Sequence, residues 1–129
     1  MAERQNISSR APYESVAGYS RAVKVGNAIH IAGTTGLGPD GKVVAINDPY
    51  AQAVQALNII KRALQEAGAG VQHVVRTRMY VTNIQYAEAV MQAHGEVFKD
   101  IRPASTLVAV TQLVDPTMLV EIEADAIIG

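Results

Sequence analysis

The closing segment Leu119-Val120-Glu121-Ile122-Glu123-Ala124-Asp125-Ala126 constrains this chain more than any other stretch. Its acids fall on every second position and its aliphatic residues on the positions between. Side chains alternate across a strand, so one face of this strand is carboxylate and the other is apolar and needs a cover. A strand of this kind belongs to a sheet with one face packed and one face open.

The cover is readable upstream. Asp48-Pro49 opens a helix over residues 48–68, with Asp as N-cap and Pro at the first helical position. Tyr50, Val54, Leu57, Ile60, Leu64 and Ala67 form one apolar stripe, and Gly68 suits the C-terminal cap. A second helix is predicted over residues 84–99, with Ala87, Val90, Met91, His94, Val97 and Phe98 on one face. Residues 20–25 and 28–32 form a hairpin around Gly26-Asn27, a pair suited to a tight primed turn. Gly33, Gly36, Gly38, Gly41 and Pro39 then mark a loop whose backbone approaches something closely. Further strands are expected at 74–82, 106–113 and 118–127. The order is β-β-α-β-α-β-β after an irregular N-terminal arm (residues 1–16), within a single domain spanning 1–129.

This pattern predicts an α+β sandwich, a mixed sheet with two helices on one face. The uncovered face is expected to carry Val, Ile, Leu or Ala at many positions and to be buried by self-association. Arg76 and Arg78 share a face of their strand and are expected to pair with Glu123 and Asp125. Only five tyrosines and one phenylalanine are present, so the core is aliphatic.

Composition closes several routes. The net charge of −1 comes with no Lys/Arg-rich stripe, which argues against nucleic acid as a partner. There is no cysteine, hence no disulfide and no thiolate chemistry. No apolar run approaches a membrane span and the N-terminus has no signal-peptide pattern, so a cytoplasmic location is expected. His30, His73 and His94 fit no metal-ligand spacing, and no serine sits in a Gly-x-Ser-x-Gly elbow.

Several segments together resemble the RidA (YjgF/YER057c/UK114) family. They are Gly18-Tyr19-Ser20-Arg21-Ala22-Val23, Ala32-Gly33-Thr34, the helix end Leu64-Gln65-Glu66-Ala67-Gly68-Ala69, Val74-Val75-Arg76-Thr77 and Leu119-Val120-Glu121-Ile122-Glu123-Ala124. The resemblance implies a chorismate-mutase-like fold, a homotrimer with small-molecule clefts between subunits, and no cofactor or metal. It also implies hydrolysis of enamine or imine intermediates to a 2-keto acid and ammonia. Glu121 matches the glutamate that positions water, and Tyr19 matches a pocket tyrosine. Ser105, Thr106 and the segment at Gly33 and Thr34 are expected to bind the substrate, through hydrogen bonds to a neutral or weakly polar ligand. Ser105, in Pro103-Ala104-Ser105-Thr106, stands where the family has a substrate-gripping arginine, while Met91 and His94 replace a family asparagine and tyrosine. A hydroxyl cannot offer a charged two-pronged grip, which points to an arginine-lacking branch with altered specificity. The alternative is a non-catalytic trimeric metabolite-binding protein. A ribonuclease or translation inhibitor, an activity proposed for some relatives, fits less well without a basic stripe.

Overall fold

The computed structural model describes residues 3–129. Six strands form one sheet: β1 (Arg4–Ile7), β2 (Ala22–Val25), β3 (Ala28–Thr34), β4 (Val74–Val81), β5 (Ala104–Ala109) and β6 (Val120–Ile127). Their spatial order is β1-β2-β3-β6-β4-β5. Every pairing is antiparallel except β4–β5, so the sheet is mixed. The last strand of the chain therefore lies between β3 and β4, at the heart of the sheet.

Two long helices cover one face, α2 (Pro49–Glu66) and α3 (Ala87–Phe98). The Asp48 carboxylate accepts a hydrogen bond from Ala51 N–H at 3.0 Å, satisfying one of the free donors of the first turn. Leu57, Ile60 and Leu64 of α2 are buried on Val120, Ile122 and Ala124 of β6, together with Ile29 and Phe98. A short 3₁₀ turn, Ile84–Tyr86, precedes α3. A second 3₁₀ turn, Val71–His73, leads into β4, and there Gly70 N–H donates to His73 Nδ1 at 3.1 Å. His73 thus closes a turn instead of standing free in solvent. Among the described residues, no helix is long and apolar enough to cross a membrane.

The N-terminal arm departs from expectation. It holds β1 and a short helix, α1 (Pro12–Ala17), ahead of the seven anticipated elements. Arg4, Gln5 and Asn6 are exposed and only Ile7 is buried. An edge strand held by backbone pairing to Val25, Lys24 and Val23 has no apolar alternation to betray it.

Glu14 fastens the arm. It is buried, and its carboxylate accepts from Ser8 Oγ at 2.9 Å, Ser9 Oγ at 2.5 Å, Ser9 N–H at 3.2 Å and Ala11 N–H at 3.3 Å. Burial alone would raise its pKa, but these hydrogen bonds outweigh burial and hold the carboxyl below its usual value. A depressed folded pKa contributes stability that is complete above the unfolded value of 4.5 and is lost as pH falls through the lower folded value. Glu14→Ala is expected to cost about 1–3 kcal/mol at neutral pH, measured by denaturant unfolding. That deficit is expected to shrink as the measurement is repeated at acidic pH.

The glycine-rich loop does approach a neighbour closely. A Cβ at Gly36 would lie 2.9 Å from Gln52 O and 3.0 Å from Gln52 Cα, so the loop backbone rests against the first turns of α2. Gln52 is itself fully buried. Its side-chain amide donates to Thr117 O at 3.0 Å and Ala45 O at 3.3 Å, and its carbonyl accepts from Leu119 N–H at 2.9 Å. These bonds fix the entry of β6, two residues before Glu121.

Candidate active site

The face of the sheet away from α2 and α3 is not the aliphatic surface expected. The apolar side chains of β6 are spent beneath the helices, which leaves Glu121, Glu123 and Asp125 on the open side at the centre of the sheet. Register sets Tyr80 opposite Glu121, Arg78 opposite Glu123, and Arg76 and His30 opposite Asp125. The Tyr80 hydroxyl donates to Glu123 Oε1. Arg78 Nη1 lies 3.2 Å from Asp125 Oδ2, and its Nε lies 3.9 Å from Glu123 Oε1. His30 Nδ1 lies 2.8 Å from Asp125 Oδ1. The anticipated Arg–carboxylate pairing thus falls to Arg78. Being part-exposed, each such pair adds about 0.2–1 kcal/mol. Exposed aliphatics remain at the margins of this face, at Val25, Val108 and Ile127.

Glu121 differs from its two neighbours, because neither an ion pair nor a tyrosine hydroxyl holds it. Its carboxylate is half-buried against Gly33, where a Cβ would meet Glu121 Cδ and Oε2 at 2.7 Å. Burial raises its pKa first and the Glu123 charge adds to the rise, while the Arg21 guanidinium opposes both. A carboxylate that binds protons more readily than usual, in a partly dry setting, has the character of a proton acceptor.

Gly33 sits where the pairing of β3 with β6 slips, between Ile31 and Thr34. Any larger residue would push the Glu121 carboxylate aside, and a side-chain end moves cheaply. Gly33→Ala is therefore expected to leave thermal unfolding nearly unchanged while lowering by about 100-fold any turnover that depends on Glu121, the scale of a ~1 Å misplacement. Unchanged turnover would show that the carboxylate's position is immaterial.

The remaining sequence-derived positions separate. Tyr19 is part-exposed, and the guanidinium carbon of Arg21 lies 5.7 Å from its ring centroid. Thr34 is fully buried and its hydroxyl donates to Ala32 O at 2.7 Å, so in this chain it faces the helix layer and not a cleft. Ser105 also turns to the helix side. The Thr77 hydroxyl donates to Ser105 Oγ at 2.8 Å and lies 2.8 Å from His94 Nε2. Burial lowers the His94 pKa, and its ring packs on Phe98 at 4.6 Å, which makes it a core histidine. Thr106 pairs with Arg78 on the open face, but at the edge of the sheet. Within one chain, then, Ser105 and Glu121 lie on opposite faces of the sheet. Arg21 and Tyr80 are the residues that sequence reasoning passed over. The signal for Arg21 was its place two residues from Tyr19, just ahead of the strand that begins at Ala22.

Two clefts flank this region. One of about 680 Å³ lies between α1 and the open face, lined by Tyr19, His30, Glu123 and Asp125 among others. One of about 690 Å³ lies between the N-terminal arm, the glycine-rich loop and α2, and Arg21, Thr35 and Leu37 line it. Among the described residues, no group of three His, Asp or Glu side chains is arranged to hold a metal ion.

Residues 8–128 match the family described as Endoribonuclease L-PSP. The crystal structure of Rv2704 from Mycobacterium tuberculosis, a member of the YjgF/YER057c/UK114 family, superposes with a TM-score of 0.89 at 45% identity, covering 98% of this chain and 100% of that one. The chain belongs to the RidA (YjgF/YER057c/UK114) family. Its fold is accordingly the chorismate-mutase-like α+β sandwich of the RidA proteins. Among RidA relatives, an uncharacterized protein of Streptomyces coelicolor is 34% identical over 97% of this chain and 92% of its own length. The 3-aminoacrylate deaminase RutC of Acinetobacter baylyi is 32% identical over 86% of this chain and 87% of its own length. A 2-iminobutanoate/2-iminopropanoate deaminase of Dermatophagoides farinae is 27% identical over 99% of both chains. The RidA family therefore includes deaminases of small enamine and imine acids.

Proposed function

We propose that this RidA-family chain is a cofactor-independent hydrolase of small enamine or imine acids, with Glu121 as the group that activates water. The half-buried Glu121 carboxylate with its raised pKa, seated against Gly33, is the observation that carries this reading. The chemistry balances without a metal or redox partner. An enamine acid tautomerises to its imine, and Glu121 takes a proton from water as the water oxygen bonds to the imine carbon. Glu121 returns that proton to nitrogen, the hydroxyl proton of the resulting carbinolamine then follows it to nitrogen as the carbon–nitrogen bond breaks, and a 2-oxo acid and ammonia leave. General base assistance of this kind contributes about 100- to 10,000-fold.

The active unit in this proposal is a homotrimer with its small-molecule cleft at the subunit boundary. The uncovered sheet face supports that assembly, since Val25, Val108 and Ile127 are left in solvent around a polar centre. Ser105 in place of an arginine supports a substrate range different from that of the named deaminases. The test is ammonia and 2-oxo acid release when purified protein meets a panel of freshly generated imino and enamine acids that includes aminoacrylate. Release well above the solvent rate is expected from a member of the panel and little or none from aminoacrylate, together with a trimer in light scattering. A stable monomer that leaves the solvent rate unchanged would contradict the reading.

A further inference from the structure

Arg21 is only 5% exposed, yet no carboxylate among the described residues pairs with it. Its Nη2 donates to Gly33 O at 2.7 Å, its guanidinium lies over the Tyr19 ring, and its Nε is buried without any acceptor. A guanidinium carries five N–H donors and a full charge. One neutral carbonyl and one aromatic face do not balance it, and the Glu121 carboxylate, near enough to feel its charge, makes no ion-pair contact with it. The group is nevertheless reachable, because Arg21 lines the cleft between the N-terminal arm and α2, beside Thr35 and Leu37. Gly33 joins it to the reacting region, its carbonyl held by Arg21 and its α-carbon faced by the Glu121 carboxylate.

We infer that Arg21 is an anion anchor that receives the carboxylate of a small 2-oxo, 2-imino or enamine acid from the cleft between the N-terminal arm and α2, across Gly33 from Glu121. The ligand class rests on the hydrolase reading above, and the anchor itself rests on the unpaired guanidinium. An incoming carboxylate supplies a counter-charge in contact with the guanidinium. The Glu121 carboxylate, kept out of ion-pair contact with Arg21, stays available for proton transfer.

The deciding experiment measures binding of 2-oxobutyrate and of its uncharged amide to wild type, Arg21→Gln, Arg21→Lys and Glu121→Gln by calorimetry. Wild type is expected to prefer the acid by on the order of 10- to 100-fold, the worth of one charge-assisted grip. Arg21→Gln is expected to lose that preference, Arg21→Lys to keep part of it, and Glu121→Gln to retain it. Three results overturn the inference: no preference for the acid in wild type, full preference in a folded Arg21→Gln, or an Arg21→Gln defect confined to oligomeric state. The last would make a partner subunit's carboxylate the natural counter-ion. If Arg21→Gln does not fold, the acid–amide comparison in wild type and Arg21→Lys decides. Acid preference without hydrolysis defeats the hydrolase reading and keeps the anchor. Hydrolysis with an unchanged KM in Arg21→Gln does the reverse.

Discussion

Glu121→Gln is expected to lower kcat for imine-acid hydrolysis by about 100- to 10,000-fold, with a much smaller change in KM. The substitution keeps side-chain length and shape but removes the basic oxygen. Its fold cost is expected to be small, because burial and the Glu123 charge already favour the uncharged form of the group. Glu123→Gln and Asp125→Asn make the instructive contrast. Their carboxylates are engaged by Tyr80, Arg78 and His30, so changing them alters ion pairing and is expected to affect turnover only a few-fold. Steady-state kinetics on the three variants separates one reactive carboxylate from a merely acidic face. Equal losses at all three would point to a general electrostatic role.

The second large effect concerns stability. Gln52→Leu is expected to destabilise the fold by about 3 kcal/mol, lowering Tm by roughly 10 °C for a domain of this size. Leucine fits the apolar setting and nearly the volume, but it strands Leu119 N–H, Thr117 O and Ala45 O. Each buried group left unpaired costs about 1–3 kcal/mol. Repacking around Gly36 is blocked by the contact of its backbone with the Gln52 backbone. Gln52→Glu keeps the acceptor for Leu119 and is expected to lose less once the carboxyl is protonated at low pH. Because these bonds set the entry of β6, a folded Gln52→Leu chain is also expected to lose activity out of proportion to its loss of stability at the assay temperature. Denaturant melts paired with kinetics check both parts.

What the sequence made legible followed from period and punctuation. The α2 stripe and its Asp48-Pro49 start are long and regular enough to identify from spacing, and β6 alternates without a break. The same alternation correctly put Glu121, Glu123 and Asp125 together, but it could not say what would lie opposite them. That depends on β6 inserting between β3 and β4, a pairing between strands far apart in the chain. Only then does Tyr80 meet Glu123, and only then does the open face become polar at its centre. The arm failed for a different reason. A four-residue edge strand and a six-residue helix hold too few side chains for a period to emerge, and Glu14 secures them through hydrogen bonds that leave no spacing signature. The phase of β5 was also hidden. Five of its six residues are exposed, so nothing in its pattern shows that Ser105 turns toward His94 and Thr106 away. Arg21 was legible as a residue but not as an unpaired charge, because burial and pairing are properties of the folded chain.

The pH dependence of kcat/KM for imine-acid hydrolysis, corrected for the solvent reaction, tests the role of Glu121 most directly. Glu121 must be ionised to take a proton from water, and its pKa is raised by burial and by Glu123. Activity is therefore predicted to fall on the acid side with a midpoint above the ordinary value of 4.5, and this limb is predicted to vanish in Glu121→Gln along with most of the rate. A limb at or below that ordinary value, or a profile that Glu121→Gln leaves intact, would contradict the assignment.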